Sequence, residues 1–134
     1  MTFSLRVYGL PVPQGRPRAT VRAGHAHVYE RREDKDWKAV VKAQVIAALM
    51  ADPRGMPWDG ALSLSLRFHL ARPASLPRKV VYHVKKPDAD NLAKAVKDAM
   101  TGLVYRDDSQ IVALMVSKVY GDQPGVAIDA ERAP

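Results

Sequence analysis

The sequence predicts an α+β fold: one mixed, mostly antiparallel sheet packed against two helices, in a single domain over residues 1–134. Two observations carry this prediction. Segments in which apolar and polar residues alternate, as in strands, occur near both ends of the chain, and two segments with helical spacing lie between them. With 134 residues, 47% of them hydrophobic, the chain has enough material for one core but not for two.

The first half of the chain contains the longer predicted helix. Residues 4–8 and 25–29 are expected to be strands, separated by a basic, proline-rich loop at 11–18 that can be neither helix nor central strand. A helix is expected from about Arg32 to Met50, because apolar residues recur there at helical spacing until a proline ends the pattern.

The second half alternates strands with a shorter helix. The clearest strand is 61–70, where leucine and phenylalanine side chains share one face. An irregular basic connection over 71–87 leads to a helix over about 90–101, and Gly102 suits its C-terminal end. Two further strands, rich in β-branched or alternating residues, are expected at 111–120 and 125–131.

Charge is unevenly distributed along the chain. The net charge is +7, yet residues 1–86 carry 16 Lys/Arg against 6 Asp/Glu, whereas residues 87–134 carry 5 against 8. A basic surface favours a polyanionic partner such as DNA, but the carboxylates of the acidic part would repel phosphate. A divalent cation between carboxylates and phosphate removes this conflict, so the distribution indicates a nuclease.

Composition also excludes several classes of protein. The chain has no cysteine, so it can form neither a disulfide nor a thiolate metal site. No apolar run approaches the roughly 18 residues that a membrane span requires, and residues 1–10 lack the pattern of a signal peptide. We therefore expect a cytoplasmic protein that contacts no membrane and needs no small-molecule cofactor.

Acidic residues are concentrated around the second predicted helix. Asp88 and Asp90 share one side of an extended helix start. Lys94 follows Asp90 by four residues and therefore lies on the same helix face. Downstream, a turn containing Asp108 precedes the next strand and can bring a third carboxylate back to the first two.

Each of these pieces also has a purely structural interpretation. Asp90 is a good helix N-cap, and Asp88 would favour the positive end of the helix dipole. Asp107-Asp108 is a common turn dipeptide. Lys94 could form surface ion pairs with the acids four residues before and after it. Spacing alone leaves these alternatives open.

The combined pattern resembles a known family. The segment Asp88-Ala89-Asp90-Asn91-Leu92-Ala93-Lys94 is followed by an aspartate near the helix end and then by Asp107-Asp108-Ser109-Gln110. This order is similar to the signature of the RusA family of Holliday-junction resolvases, which are crossover junction endodeoxyribonucleases. The Pro13–Arg18 loop and Lys118 on the following strand are also similar to features of that family.

The resemblance implies a single RusA-like endonuclease domain over 1–134 and assigns roles to individual residues. It implies that Asp88, Asp90 and Asp108 are the metal-binding catalytic acids, and that Lys94 is the catalytic lysine. It also implies Mg²⁺ or Mn²⁺ as cofactor, a homodimer, and four-way DNA junctions as substrate in recombination, repair or phage and prophage DNA processing. Supporting roles are expected for Asn91, Asp107 and Lys118.

Basic residues near the acidic cluster are candidates for DNA contacts. Lysine and arginine side chains can neutralise phosphates without reading the base sequence. Two candidates lie in the proline-stiffened loop, namely Arg16 and Arg18. Four more lead directly into the acidic site, namely Arg78, Lys79, Lys85 and Lys86.

Two other function classes remain open. A non-catalytic basic DNA-binding module would use its aspartates only for caps and turns, and would bind junctions without Mg²⁺-dependent cleavage. A phosphatase or phosphotransfer enzyme acting on small substrates is disfavoured by the basic excess over 1–86, because a small substrate needs no extended positive surface.

Overall fold

The helices and strands follow the predicted order along the chain. The computed structural model describes residues 1–15, 18–22, 25–29 and 32–133, with side chains described for 1–15 and 32–133. The elements are β1 (Thr2–Tyr8), β2 (Arg18–Arg22), β3 (His25–Tyr29), α1 (Arg32–Ala51), β4 (Leu62–Ala71), α2 (Ala89–Met100), a 3₁₀ turn (Asp108–Gln110), β5 (Ile111–Gly121) and β6 (Gly125–Arg132). Strand β2 was not predicted, because it has only five residues and directly follows a proline-rich stretch that indicates a loop.

Four strands form one sheet in the order β1-β6-β4-β5. Strand β6 pairs antiparallel with both β1 and β4, whereas β4 and β5 are parallel. The predicted mixed, mostly antiparallel sheet is therefore confirmed. Strands β2 and β3 pair antiparallel with each other in a separate two-stranded sheet.

The core lies between this sheet and the two helices. Alternate residues of β4 from Leu62 to Leu70 are buried, as the period of two predicts. Helix α2 buries Leu92, Val96 and Ala99, and α1 buries Trp37. Each fully buried apolar side chain of this size contributes about 1.5–3 kcal/mol. Neither helix is long and apolar enough to cross a membrane, within the part of the chain that the structure describes.

The connection from β4 through α2 to β5 decides where the acidic residues lie. Because β4 and β5 are parallel, α2 has to carry the chain back along the sheet between them. The start of α2 therefore lies at the end where β5 finishes, and the end of α2 lies where β5 begins. Residues that flank α2 on its two sides are thus separated by the length of the helix.

Candidate active site

The first part of the site is the start of α2. Asp88 occupies the N-cap position in an extended conformation (φ −72°, ψ 145°), but its side chain makes no capping hydrogen bond. Asp90 lies in the first turn of the helix, so the structural alternative that made it the N-cap is wrong. Both residues are exposed. Neither carboxylate therefore caps the N-terminal end of α2, and both remain open to a ligand.

Lys118 on β5 holds the segment that leads to Asp88. Its ammonium group donates hydrogen bonds to the carbonyl oxygens of Lys85 (2.7 Å) and Pro87 (2.8 Å). The backbone N–H of His83 in turn donates to the carbonyl oxygen of Lys118 (3.1 Å). The peptide bond between Lys86 and Pro87 is cis. Hydrogen bonds to a charged donor are stronger than neutral ones, so this lysine fixes the backbone next to the first acid.

A groove of about 430 Å³ opens beside Asp88. The proline-rich loop forms one of its walls, because the backbone N–H of Gln14 donates to the carbonyl oxygen of Asn91 (2.9 Å). The loop was predicted to be extended and basic, but its docking on α2 was not foreseen. The groove is lined by Pro11, Pro13, Lys86, Pro87, Asp88 and Asn91.

Lys94 lies one turn after Asp90 on the exposed face of α2. The predicted alternative, a ladder of ion pairs through Lys94, does not form among the described residues. Asp98 instead pairs with Lys38 of α1, at 3.4 Å between Oδ2 and Nζ. This ion pair connects the two helices and leaves the Lys94 ammonium directed toward solvent.

The turn before β5 separates the roles of two neighbouring acids. The backbone N–H of Ser109 donates to Oδ1 of Asp107 (3.0 Å), so Asp107 caps the 3₁₀ turn as the structural alternative proposed. That N–H, and then the side chain of Asp108, hold the pKa of Asp107 below its usual range. Asp108 is exposed and lies within the turn itself.

Gln110 belongs to the quoted signature, but the sequence analysis gave it no role. Its Oε1 accepts hydrogen bonds from the backbone N–H of Arg106 (2.8 Å) and Asp107 (2.9 Å). Its Nε2 donates to the carbonyl oxygens of Trp58 and Gly60, both at 2.9 Å. A glutamine three residues after a capping aspartate is the pattern of a capping box, which could have identified it.

Tyr105 shows where Asp108 lies relative to α2. The buried hydroxyl of Tyr105 donates to the carbonyl oxygen of Lys97 near the C-terminal end of the helix (2.7 Å). Burial raises the pKa of this hydroxyl, and the negative charges of Asp108 and Asp98 raise it further. Asp108 is therefore close to the C-terminal end of α2.

Within the described part of one chain, Asp88, Asp90 and Asp108 do not converge. An α-helix rises about 14 Å between the positions of Asp88 and Lys97, far more than the few ångströms over which carboxylates share a cation. Among the residues that the structure describes, no three acidic or histidine side chains are grouped closely enough to hold a metal ion. The chain brings Asp88 and Asp90 together at one end of α2 and places Asp108 at the other.

The basic candidates lie mainly on the connection between β4 and α2. Arg78, Lys79, Lys85 and Lys86 are all exposed, and Arg78 pairs loosely with Asp122 (3.3 Å). Arg16 lies outside the described residues. Arg18 begins β2, but its side chain also lies outside them.

Comparison with known proteins places the chain in a family. The model of a family described as "Endodeoxyribonuclease RusA" matches residues 9–131. The chain belongs to the RusA endodeoxyribonuclease family. It is also 35% identical over 132 residues to the "Uncharacterized protein YqaN" of Bacillus subtilis (strain 168), with 91% of this chain and 90% of that protein covered. The expected family and the expected enzyme class, a DNA endonuclease, are thereby confirmed.

Proposed function

We propose that this protein is a Mg²⁺- or Mn²⁺-dependent endonuclease that resolves four-way DNA junctions as a homodimer. The observation that carries the proposal is the pair of exposed carboxylates at the start of α2, neither of which caps the helix. Asp88 lines a groove, and both acids follow a basic segment in the sequence. The process served would be recombination and repair, or phage DNA processing, in the cytoplasm.

The available side chains suit a hard divalent cation. The chain has no cysteine, and Asp88 and Asp90 offer only oxygen donors, which Mg²⁺ and Mn²⁺ prefer. We assign these two carboxylates as metal ligands together with Asp108, which within one chain lies at the other end of α2 and would therefore be supplied by the second subunit of the proposed homodimer. When bound, such a cation activates water for attack on a phosphodiester and neutralises charge on the phosphate.

The chain's own residues supply positioning and charge. We assign to Lys94 the placement of an ammonium group near the scissile phosphate or the leaving oxygen, since its side chain is exposed one turn from Asp90. Lys118 acts as a positioning residue through the backbone before Asp88. Asn91 would support the groove wall, and Asp107 would support the turn that carries Asp108.

DNA would approach along the basic connection that precedes α2. The exposed ammonium groups of Lys79, Lys85 and Lys86, with the guanidinium of Arg78, offer phosphate contacts that are independent of base sequence. Arg16 and Arg18, which follow the groove-lining Pro11 and Pro13 in the sequence, are proposed to extend this surface. Binding through phosphates suits a substrate that is recognised by its shape.

The main alternative is a non-catalytic DNA-binding module. It requires the aspartates to act as caps, and Asp107 does act in this way. Asp88, however, stands in a capping position without a capping hydrogen bond from its side chain, so an exposed carboxylate remains available to a ligand. Together with membership of an endodeoxyribonuclease family, this favours catalysis.

Cleavage of a labelled junction tests the proposal. Purified protein would be incubated with a four-way junction and a matched linear duplex, each with and without Mg²⁺. We expect cleavage of the junction only, and only with the cation. Binding without cleavage under all conditions would favour the non-catalytic module.

A substitution in the site sharpens this test. Asp90→Asn should abolish cleavage while junction binding persists, because the amide keeps the shape but removes the charge that a cation requires. Asp129→Asn is the matched control, since Asp129 is an exposed aspartate on β6, on the sheet face away from α2. Near-normal cleavage by Asp90→Asn would remove that residue from the proposed site.

A further inference from the structure

The connection between β4 and α2 exposes a short run of apolar side chains. Val81 is 49% exposed, Tyr82 is 64% exposed and Val84 is 86% exposed. Single exposed apolar residues are normal on a protein surface and need no explanation. Three of them within four consecutive residues form a continuous patch, which is typical of a surface that binds a partner.

This patch is carried by backbone that is fixed to the edge of the sheet. The N–H of Tyr120 on β5 donates to the carbonyl oxygen of Val81 (2.9 Å), and the N–H of His83 donates to the carbonyl oxygen of Lys118 (3.1 Å). Tyr82, between them, forms an antiparallel bridge with β5. A surface that is already ordered loses little conformational entropy when a ligand binds, so this segment is suited to binding.

The side chain of Tyr82 points away from the protein contacts of its neighbour. The ring of His83 lies against the ring of Tyr120, with 4.9 Å between their centroids. Successive side chains of a strand point to opposite sides, so Tyr82 projects from the other side of the segment. Its exposure therefore follows from the pairing with β5.

The ring of Tyr82 has a free face, unlike the other tyrosine rings that the structure describes. Tyr8 and Tyr120 each have an arginine over the ring, at 5.0 Å and 5.3 Å from the centroid. Tyr105 is buried. Among the described side chains, none makes a ring or cation contact with Tyr82. Its flat face is available to a planar ligand.

Positive charges lie on both sides of this ring in the sequence. Arg78 and Lys79 precede it, Lys85 and Lys86 follow it, and all four are exposed. Cations that neutralise phosphates, combined with an aromatic face on which a base can stack, are the two components of surfaces that bind unpaired nucleic acid. The charge therefore favours a nucleic acid over an apolar segment of a protein as the occupant.

We propose that Tyr82 stacks on a nucleotide base that is exposed at the branch point of the DNA, with Val84 as an apolar contact to the same strand. The inference rests on the proposed function for the choice of branched DNA. In a continuous duplex each base is covered by its neighbours, whereas stacking is interrupted where helices diverge. Tyr82 thereby favours a branched substrate, which phosphate contacts alone do not distinguish by base exposure.

The position of Tyr82 along the chain suits this role. It lies six residues before Asp88, and an extended chain spans at most about 3.6 Å per residue, so their Cα atoms are within about 22 Å of each other. Nucleotides of one strand are about 3.4 Å apart along the duplex axis. The stacked base would therefore lie within about six nucleotides of a phosphate held at Asp88.

Binding measured without a divalent cation tests the inference separately from cleavage. Fluorescence anisotropy would give the affinity for a four-way junction and for a linear duplex of the same sequence. We expect Tyr82→Ala to weaken junction binding about tenfold, the order of magnitude of stacking on one base, and to leave duplex binding unchanged. Tyr82→Phe keeps the ring and should bind as wild type does. Tyr8→Ala is the matched control, because Tyr8 is a tyrosine of similar exposure (52%) on β1.

The salt dependence distinguishes stacking from charge. Tyr82→Ala removes no cation, so the slope of log K against log salt concentration should equal that of wild type while the affinity falls. Lys85→Ala should instead reduce the slope by about one. A reduced slope for Tyr82→Ala would show that the residue acts through its basic neighbours, and would overturn the inference.

A fluorescent base reports on stacking directly. 2-Aminopurine changes its fluorescence when its stacking partners change, and it would be placed at the branch point of the junction. We expect wild-type protein to alter this fluorescence at saturation, and saturating Tyr82→Ala to leave it close to that of free DNA. The same base within the linear duplex should respond to neither protein.

The outcomes separate this inference from the proposed function. Equal junction affinity of wild type and Tyr82→Ala would overturn the inference, even if both proteins cleave. A Tyr82→Ala variant that sediments differently from wild type would assign the ring to a contact between subunits, and would overturn it as well. Wild-type protein that binds the junction through Tyr82 but never cleaves it with Mg²⁺ would instead refute the proposed function.

Discussion

Lys118 donates a hydrogen bond from its ammonium group to the carbonyl oxygen of Pro87 at 2.8 Å, and thereby ties strand β5 to the residue before Asp88. The same group bonds the carbonyl oxygen of Lys85 at 2.7 Å. Hydrogen bonds to a charged group each contribute about 1.5–3 kcal/mol. The position of the first proposed metal ligand thus depends on a residue 30 positions further along the chain.

Removing this tie should impair turnover more than binding. Lys118→Met keeps most of the length of the side chain but cannot donate to either carbonyl oxygen. We expect kcat for junction cleavage to fall about tenfold or more, which corresponds to about 1.4 kcal/mol, with a smaller change in KM. Single-turnover and steady-state kinetics would measure the two effects. Lys118→Arg should retain more activity, and unchanged kcat in folded Lys118→Met would contradict the positioning role.

Gln110 should stabilise the turn that carries Asp108. Gln110→Ala removes four hydrogen bonds and leaves the carbonyl oxygens of Trp58 and Gly60 without their side-chain donor. We expect the free energy of unfolding to fall by about 1–3 kcal/mol, measured by urea denaturation. Gln123→Ala, at an exposed glutamine in the β5–β6 turn, is the control. Equal stability of the two variants would show that the Gln110 network contributes nothing.

The basic segment before α2 should set the salt dependence of DNA binding. Each lysine that contacts a phosphate contributes about one to the slope of log K against log salt concentration. Lys85→Ala and Lys86→Ala should each weaken junction binding and reduce that slope by about one. Arg67→Ala should leave the slope unchanged, because Arg67 lies on β4, on the sheet face away from α2. Slopes identical for all three variants would remove the segment from the DNA surface.

His83 should make stability depend on pH. Burial, followed by the charge of Lys118, lowers its pKa from the ordinary value of 6.5. Below about pH 6.5 the unfolded chain binds a proton at His83 that the folded chain still excludes. The contribution of His83 to the free energy of unfolding is therefore complete above that pH, and it is lost as the pH falls toward the lower pKa of the folded state. His83→Gln should therefore lose less stability than wild type between about pH 7 and about pH 5. Urea unfolding at several pH values measures this.

The matched comparison for His83 is His69. Its pKa is also lowered, by burial and then by the charges of Arg6 and Arg67. His69 remains in the His83→Gln variant, so part of the fall in the free energy of unfolding at acidic pH should persist in that variant. Parallel stability curves for wild type and His83→Gln would show that His83 does not contribute to it.

The secondary structure was largely predictable, because an element with one buried face needs apolar residues at regular intervals in the sequence. On β4, the alternation from Leu62 to Leu70 reflects one buried face, and it was confirmed residue by residue. On α2, Gly102 ends the helix with a φ of +85°, a conformation that glycine adopts without strain. The helix start was less predictable, since Asp88 and Asp90 are both compatible with an N-cap.

The site was predictable only in part. Hydrogen bonds within a turn depend on neighbouring residues, whereas the direction in which a helix runs depends on packing against distant parts of the chain. The capping role of Asp107 follows from its neighbours Ser109 and Gln110. The contacts of Gln14 with Asn91, and of Lys118 with Pro87, join segments that are distant in sequence. Spacing contains no information on such contacts.

By itself, the sequence determined the order of the elements apart from β2 and placed Asp88 and Asp90 near the start of a helix, because both results follow from periodicity and from the conformation of a few adjacent residues. Only the tertiary structure decided that Asp108 lies at the opposite end of α2. The reason is topological: a helix that connects two parallel strands must run back along them, so the residues before and after it are held a helix length apart.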